Sequence, residues 1–344
     1  MQLQPLLTEQ ELFRLLQTIR QSRQIVVCAH RGPDGDAVGS SLALADYLQS
    51  LGKQVRVVLP NPFPDFLRWL PSSHTVQFYQ HHESQTTALL ARADLVFCLD
   101  FSQPGRLQEM QHAVMASKAE RVVIDHHLDP DLAMASQVYS FPSLCSTCEA
   151  VFRILVQLGA FDQMSKAAAS CLYAGMMTDT GGFTYNSTRP EIYEIISMLL
   201  TKGIDKDKIY RNVFHVYSQD RLRLMGYILY EKLRFYASGK AALFTLTREE
   251  MQRFHFIRGD AEGLVNLPLQ VKGMRLSISL REDTERDVVR VSLRSVDDFP
   301  CNLMAEEFFN GGGHLNASGG ELPFPLSAAV ETVERAIEAY ASRL

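Results

Sequence analysis

The chain has 344 residues, of which 46% are hydrophobic and 21% charged, so it carries enough apolar material for real cores and a length suggesting two domains of ordinary size. Its formal net charge of −5 argues against a broad basic face that grips long duplexes; a nucleic acid or phosphate ligand should be small, or held by a local cluster and by metal. No apolar run approaches the ~20 residues that span a bilayer, and Met1 to Leu7 lacks the features of a signal peptide, so a soluble cytoplasmic protein without membrane contacts is expected.

Thr8-Glu9-Gln10-Glu11 is a capping-box signature that opens an amphipathic helix to about Gln21. Ile25 to Ala29 reads as a buried strand, followed by a helix from about Ala37 to Ser50 that Gly52 stops, and by a second strand over Gln54 to Leu59. Leu95 to Leu99 and Arg121 to Ile124 are two more strands, with a helix from about Arg106 to Ala116 between them. This alternation predicts an α/β fold, a doubly wound, mostly parallel sheet covered on both faces, with ligands beyond the carboxyl ends of its strands. Helices then dominate from Ser146 to Leu200 and from about Ile204 to Tyr236.

The character changes after Gly239. Ala241 to Leu246, Met274 to Leu280 and Val288 to Leu293 read as strands, the last two joined as a hairpin through Glu282 to Arg286, and Leu326 to Ala341 as a closing helix. The expectation is a smaller mixed-sheet α/β domain over 226–344, a helical connector over 206–225, and a first domain over 1–205.

Cys28 and Cys98 lie in apolar strands, where a reduced cysteine behaves as a small hydrophobe. Cys145-Ser146-Thr147-Cys148 opens a helix, a position that could lower thiol pKa values. It is half of a zinc pattern without the other half, and packing with capping is the favoured reading.

The chemistry gathers where three apolar runs and one helix stop. His30-Arg31-Gly32-Pro33-Asp34-Gly35-Asp36, Asp100, Asp125-His126-His127 and Asp179 deliver carboxylates and imidazoles to one edge of the predicted sheet. Any one of them reads as a turn or helix cap; four segments repeating one position do not. Carboxylates able to bridge two divalent ions, with imidazoles as terminal ligands, have the makings of a two-metal site, and the mixed ligand set favours Mn²⁺.

In order and interval these residues resemble the motifs of the DHH phosphoesterase superfamily. Gly311-Gly312-Gly313-His314 with Ala317-Ser318-Gly319-Gly320 looks like its DHH-associated domain, and the whole chain is most similar to the nanoRNase type. That type hydrolyses short oligoribonucleotides and removes the 3′-phosphate of 3′-phosphoadenosine 5′-phosphate. The resemblance implies two divalent cations, Mn²⁺ first and Mg²⁺ or Co²⁺ after it, that activate a water. It assigns His30, Asp34 and Asp100 to one ion and Asp36, His126 and Asp179 to the other, with Asp100 bridging and Asp179 able to reach both. His127 would face the scissile phosphate, and Asp125 would orient a histidine or the loop.

In the second domain the Gly311 to His314 run reads as a loop whose amides, with His314, can approach an anion. Arg294 and His314 are the candidates to hold a terminal or second phosphate. Arg281, Gly312, Gly313 and Ser318 stand beside them. Metals on one lobe and an anion pocket on the other would form a cleft that measures substrates of a few nucleotides, a short RNA or a phosphorylated nucleotide. Phe183, Tyr185, Phe299, Phe308 and Phe309 all read as core, and of them Phe183 and Tyr185 are the better candidates for touching a base. A homodimer is compatible with the sequence.

Four other readings remain. A pyrophosphatase of the superfamily would carry an Arg-Lys clamp in place of Gly311 to His314. Many cyclic-dinucleotide phosphodiesterases carry sensory segments not seen here, and a long-strand exonuclease would want a more basic surface. A non-catalytic nucleotide-binding protein would not need the full ligand set.

Overall fold

Helix α1 (Glu9–Gln21) begins where its capping box dictates: Glu11 N donates to Thr8 Oγ1 at 3.3 Å and Thr8 N to Glu11 Oε2 at 2.8 Å. The structure is a computed structural model that describes residues 3–215, 217–257, 259–261 and 263–344. The chain divides into two units, Met1–Val216 and Tyr217–Leu344.

After α1 the first unit runs β1 (Gln24–Ala29), α2 (Gly35–Ser50), β2 (Gln54–Leu59), β3 (Gln77–Phe78), α3 (Glu83–Arg92), β4 (Leu95–Leu99), α4 (Gln111–Ala116), β5 (Glu120–Asp125) and β6 (Gln137–Ser140). Helices α5 (Thr147–Gln157), α6 (Lys166–Asp179), α7 (Pro190–Thr201) and α8 (Lys206–Phe214) complete it. The strands form a parallel sheet in the order β3-β2-β1-β4-β5-β6. Both faces are covered, which is why β1, β4 and β5 read as near-continuous apolar runs. Ile25, Val27 and Ala29 join α2, α5 and α6 in one core, while Val26 and Cys28 join α3 and α4 in the other. The strand order reverses between β1 and β4, so a switch point opens beyond Ala29 and Leu99, where such sheets bind ligands.

Two expectations need correction. The helix expected from Arg106 is α-helical only from Gln111: Pro104–Met110 forms 3₁₀ turns, broken at Gln108 with φ 49°. The short strands β3 and β6 and helix α3 carried too weak a periodicity to be read from the sequence.

The second unit runs α9 (Gln219–Tyr227), a π turn over Ile228–Lys232, β7 (Arg234–Tyr236), β8 (Ala241–Leu246), α10 (Arg248–Arg253), β9 (Leu276–Glu282), β10 (Val288–Ser295), α11 (Cys301–Phe308), β11 (Gly312–His314), β12 (Ala317–Pro323) and α12 (Leu326–Ala339). The helix expected to reach Tyr236 therefore gives way to an edge strand. The sheet order is β11-β12-β10-β9-β8-β7, antiparallel except for β8 against β9. Among the described residues no helix is long and apolar enough to cross a membrane.

Candidate metal centre

His30 follows the last residue of β1 and is 4% exposed. Its Nδ1 donates to the Arg31 carbonyl at 2.9 Å, which turns Nε2 toward Asp100 Oδ2, 3.3 Å away. Asp34 caps α2, its Oδ1 accepting from the amides of Asp36 and Ala37 at 3.0 Å each, while Oδ2 lies 3.9 Å from His30 Nε2. Capping and ligation thus use different oxygens of one carboxylate. The buried Asp36 occupies the first turn of α2. Beside it a Cβ on Gly35 would meet Thr178 Oγ1 at 2.2 Å, so glycine here lets α2 approach the last turn of α6, which ends in Asp179. An aspartate at a helix C-terminus opposes the helix dipole, a placement that ligation explains and stability does not.

Asp100 follows β4 with φ +64°, a strained conformation of the kind held at functional sites. His126 follows β5, its Nε2 3.6 Å from Asp100 Oδ1, 3.4 Å from Asp179 Oδ2 and 3.9 Å from Asp36 Oδ2. His127 Nδ1 donates to Asp125 Oδ1 at 2.7 Å. Three groups therefore have ligand atoms within 4.8 Å of one another: His30, Asp34 and Asp100; Asp36, His126 and Asp179; and Asp100, His126 and His127. The last puts His127 beside Asp100 as well as beside Asp125.

The ionisation of the cluster fits a cation site. Burial, then the Asp100 charge, pushes the Asp36 carboxyl up to about 7. Burial, then Asp36, raises Asp179 well above the ordinary carboxylate range. Burial opposes charge on Asp100 too, but its hydrogen bond to His30 and the three imidazoles hold it below that range. Burial likewise works against charged imidazoles, yet the surrounding carboxylates raise His30 and His126 to about 9. These carboxylates cannot all ionise without positive charge among them, which protons or divalent cations supply.

Sequence reasoning missed the contribution of the first turn of α5. The amides of Thr147 and Cys148 donate to Asp36 Oδ2 and Oδ1 at 2.6 and 2.8 Å, and Thr147 Oγ1 donates to Asp100 Oδ1 at 3.0 Å. Ser146, three residues before Glu149, was the available signal. The cysteine pair is corrected in the same place: burial and the neighbouring carboxylates, Glu149 at Cys145 and Asp36 at Cys148, push both thiols up rather than down. These thiols pack.

In the second unit the Gly311 to His314 run is not the expected loop: Gly312–His314 is the edge strand β11, paired with Ala317, Ser318 and Gly319. Glycine serves close backbone approach there, since a Cβ on Gly311 would meet the Gly319 carbonyl at 1.8 Å and one on Gly313 the Ala317 carbonyl at 2.6 Å. The Ser318 hydroxyl is committed to the His314 carbonyl at 2.8 Å. Arg294 and His314 both stand opposite Ala317, in one row across three strands. Arg281 stands opposite Arg290, four residues and about 13 Å further along β10, with its guanidinium 5.5 Å from the Phe256 ring. Phe299 and Phe309 are buried, Tyr185 is 56% exposed, and Phe183 packs on Tyr173 at 5.6 Å between ring centroids.

A model of the DHH family, N-terminal domain, matches residues 24–176. The chain is 30% identical to the bifunctional oligoribonuclease and PAP phosphatase NrnA of Thermus thermophilus, over 91% of this chain and 89% of that protein. It is 26% identical to the cyclic-di-AMP phosphodiesterase PdeA of Listeria monocytogenes, over 95% of this chain but 49% of that longer protein. Among solved structures, an exopolyphosphatase-related protein from Bacteroides fragilis is 47% identical with a TM-score of 0.96, over 99% of each chain.

Proposed function

The chain belongs to the DHH phosphoesterase family, as a hydrolase of ester bonds of the oligoribonuclease and PAP phosphatase type, and from that premise we propose that it hydrolyses short oligoribonucleotides and 3′-phosphoadenosine 5′-phosphate in the cytoplasm. The observation that carries this reading is the sharing of Asp100 and His126 among three ligand groups within 4.8 Å. The third group joins Asp100 of one assigned position to His126 of the other, which supports a carboxylate serving adjacent cations, as in two-metal phosphoryl chemistry.

In this reading residues 1–205 are the catalytic domain and 226–344 bind substrate. His30, Asp34 and Asp100 hold one divalent cation and Asp36, His126 and Asp179 the other, Mn²⁺ being the ion of choice for the mixed ligand set. Cations bound there would acidify a water for in-line attack and offset charge on the phosphoryl oxygens. His127, oriented by Asp125, presents its far ring nitrogen to the scissile phosphate. Arg294 and His314 take a second phosphate of the substrate, the guanidinium offering paired donors. Tyr185 offers an exposed ring to a base.

The likeness to PdeA over nearly the whole of this chain supports a second reading, a cyclic-dinucleotide phosphodiesterase. One assay separates them: metal-stripped protein reloaded with Mn²⁺ and offered RNAs of a few nucleotides, 3′-phosphoadenosine 5′-phosphate, pyrophosphate and cyclic di-AMP. Turnover of the first two supports the proposal. Turnover confined to cyclic di-AMP or pyrophosphate overturns it, and no Mn²⁺-dependent turnover of any leaves a binder.

A further inference from the structure

The first turn of α5 touches carboxylates assigned to both cation positions without supplying a ligand. Its helix start is fixed by Ser146, whose Oγ accepts from Glu149 N at 3.0 Å, so Thr147 is free of the capping task. Thr147 is completely buried, and its hydroxyl spends its single proton on Asp100 Oδ1.

Asp100 has the harder assignment of the two carboxylates, because it is asked to serve both ions. Its Oδ2 faces His30 Nε2 at 3.3 Å and its Oδ1 faces His126 Nε2 at 3.6 Å. Rotation about the last torsion of aspartate is broad and two-fold, so the side chain alone does not keep its plane. A directional donor at 3.0 Å on one oxygen fixes that plane and leaves the other lone pairs pointing at separate imidazoles. Asp36 needs no such help, since two backbone amides already hold both of its oxygens.

We infer that Thr147 is a positioning residue of the metal centre, whose hydroxyl sets the plane of the Asp100 carboxylate so that one oxygen faces His30 and the other His126, residues that would hold separate cations. The inference rests on the two-cation reading above and deepens it. Removing the hydroxyl leaves the amide bonds to Asp36 in place, which separates this role from the general integrity of the turn. Partners that orient a ligating carboxylate in this way typically contribute 10- to 100-fold in metal affinity.

The test is a titration of metal-stripped wild type, Thr147→Val and Thr147→Ser with MnCl₂, reading free Mn²⁺ by electron paramagnetic resonance, with thermal unfolding alongside. Thr147→Val is expected to weaken Mn²⁺ binding by about 10- to 100-fold, and Thr147→Ser, which keeps the donor, to stay within about threefold of wild type. Equal affinity of wild type and Thr147→Val overturns the inference. So does a serine variant as weak as valine, because it assigns the effect to methyl packing. If Thr147→Val does not fold, Thr147→Ala against Thr147→Ser makes the same comparison. Wild type that binds Mn²⁺ but turns over none of the substrate panel overturns the proposed reaction and leaves Thr147 to the titration; wild type that binds none overturns both.

Discussion

His127 Nδ1 and Asp125 Oδ1 lie 2.7 Å apart, with Asp125 fully buried at the end of β5 and His127 partly open to solvent. The carboxylate fixes which ring nitrogen carries the proton inward, and so which one faces out. The same Asp125 oxygen accepts from the His126 amide at 2.8 Å, which ties the orientation of both histidines to one buried group.

The consequence is a separation of roles at adjacent residues. His127→Ala is expected to lower kcat by about 100- to 1,000-fold, within the range of a positioned acid–base group, with Mn²⁺ affinity unchanged. Single-turnover rates and equilibrium dialysis check it; a parallel loss of Mn²⁺ would make His127 a ligand, as its place in the group with Asp100 and His126 allows.

Asp100 belongs to the group of His30 and Asp34, and its Oδ1 lies 3.6 Å from Nε2 of His126, a member of the other assigned group. If it serves both ions, Asp100→Ala should deplete both cation positions, whereas Asp34→Ala, removing an exposed ligand of one group, should deplete one. Elemental analysis of the purified variants reads the stoichiometry directly, and equal losses would contradict the sharing.

Glu149 is fully buried and pairs with both Arg153 and Arg189. Glu149→Gln breaks a buried ionic group and is expected to cost about 3–5 kcal/mol of stability, because two guanidinium groups lose their counter-charge. Urea unfolding measures it, and a cost below about 1 kcal/mol would place the network in the class of solvent-screened pairs.

The second unit carries an acid-sensitive turn. Partial burial raises the Asp283 carboxyl, but the amides of Glu285 and Arg286 and the Arg290 guanidinium prevail and bring it down to about 2. A carboxyl depressed on folding contributes stability that is complete above its unfolded value of about 3.9 and lost as pH falls through the folded one. Between pH 4 and pH 2 wild type should therefore lose stability more steeply than Asp283→Asn, as read from unfolding midpoints.

The alternation of apolar runs with helical periodicity was enough to specify a parallel sheet, because strands covered on both faces have no polar side to show. The residues ending those runs, His30, Asp100 and Asp125 to His127, stood out for the same reason: charge directly after a buried strand has few structural explanations. What periodicity could not carry were elements set by backbone approach. Gly312 and Gly313 spell a loop in sequence and form a strand edge in space, since glycine is used both where the chain turns and where two backbones nearly touch. Arg281 and Arg294 are equally basic on paper, yet register puts only Arg294 in a row with His314.

The sequence by itself determined the class of the fold and which side chains have the chemistry to hold cations, because burial pattern and donor type are local properties. Only the tertiary structure decided that α5, remote in the chain from β1 and β4, would bring Thr147 against Asp100 and two amides against Asp36. Hydrogen bonds of that kind depend on where a helix docks, and docking is settled by the packing of surfaces that no single stretch of residues contains.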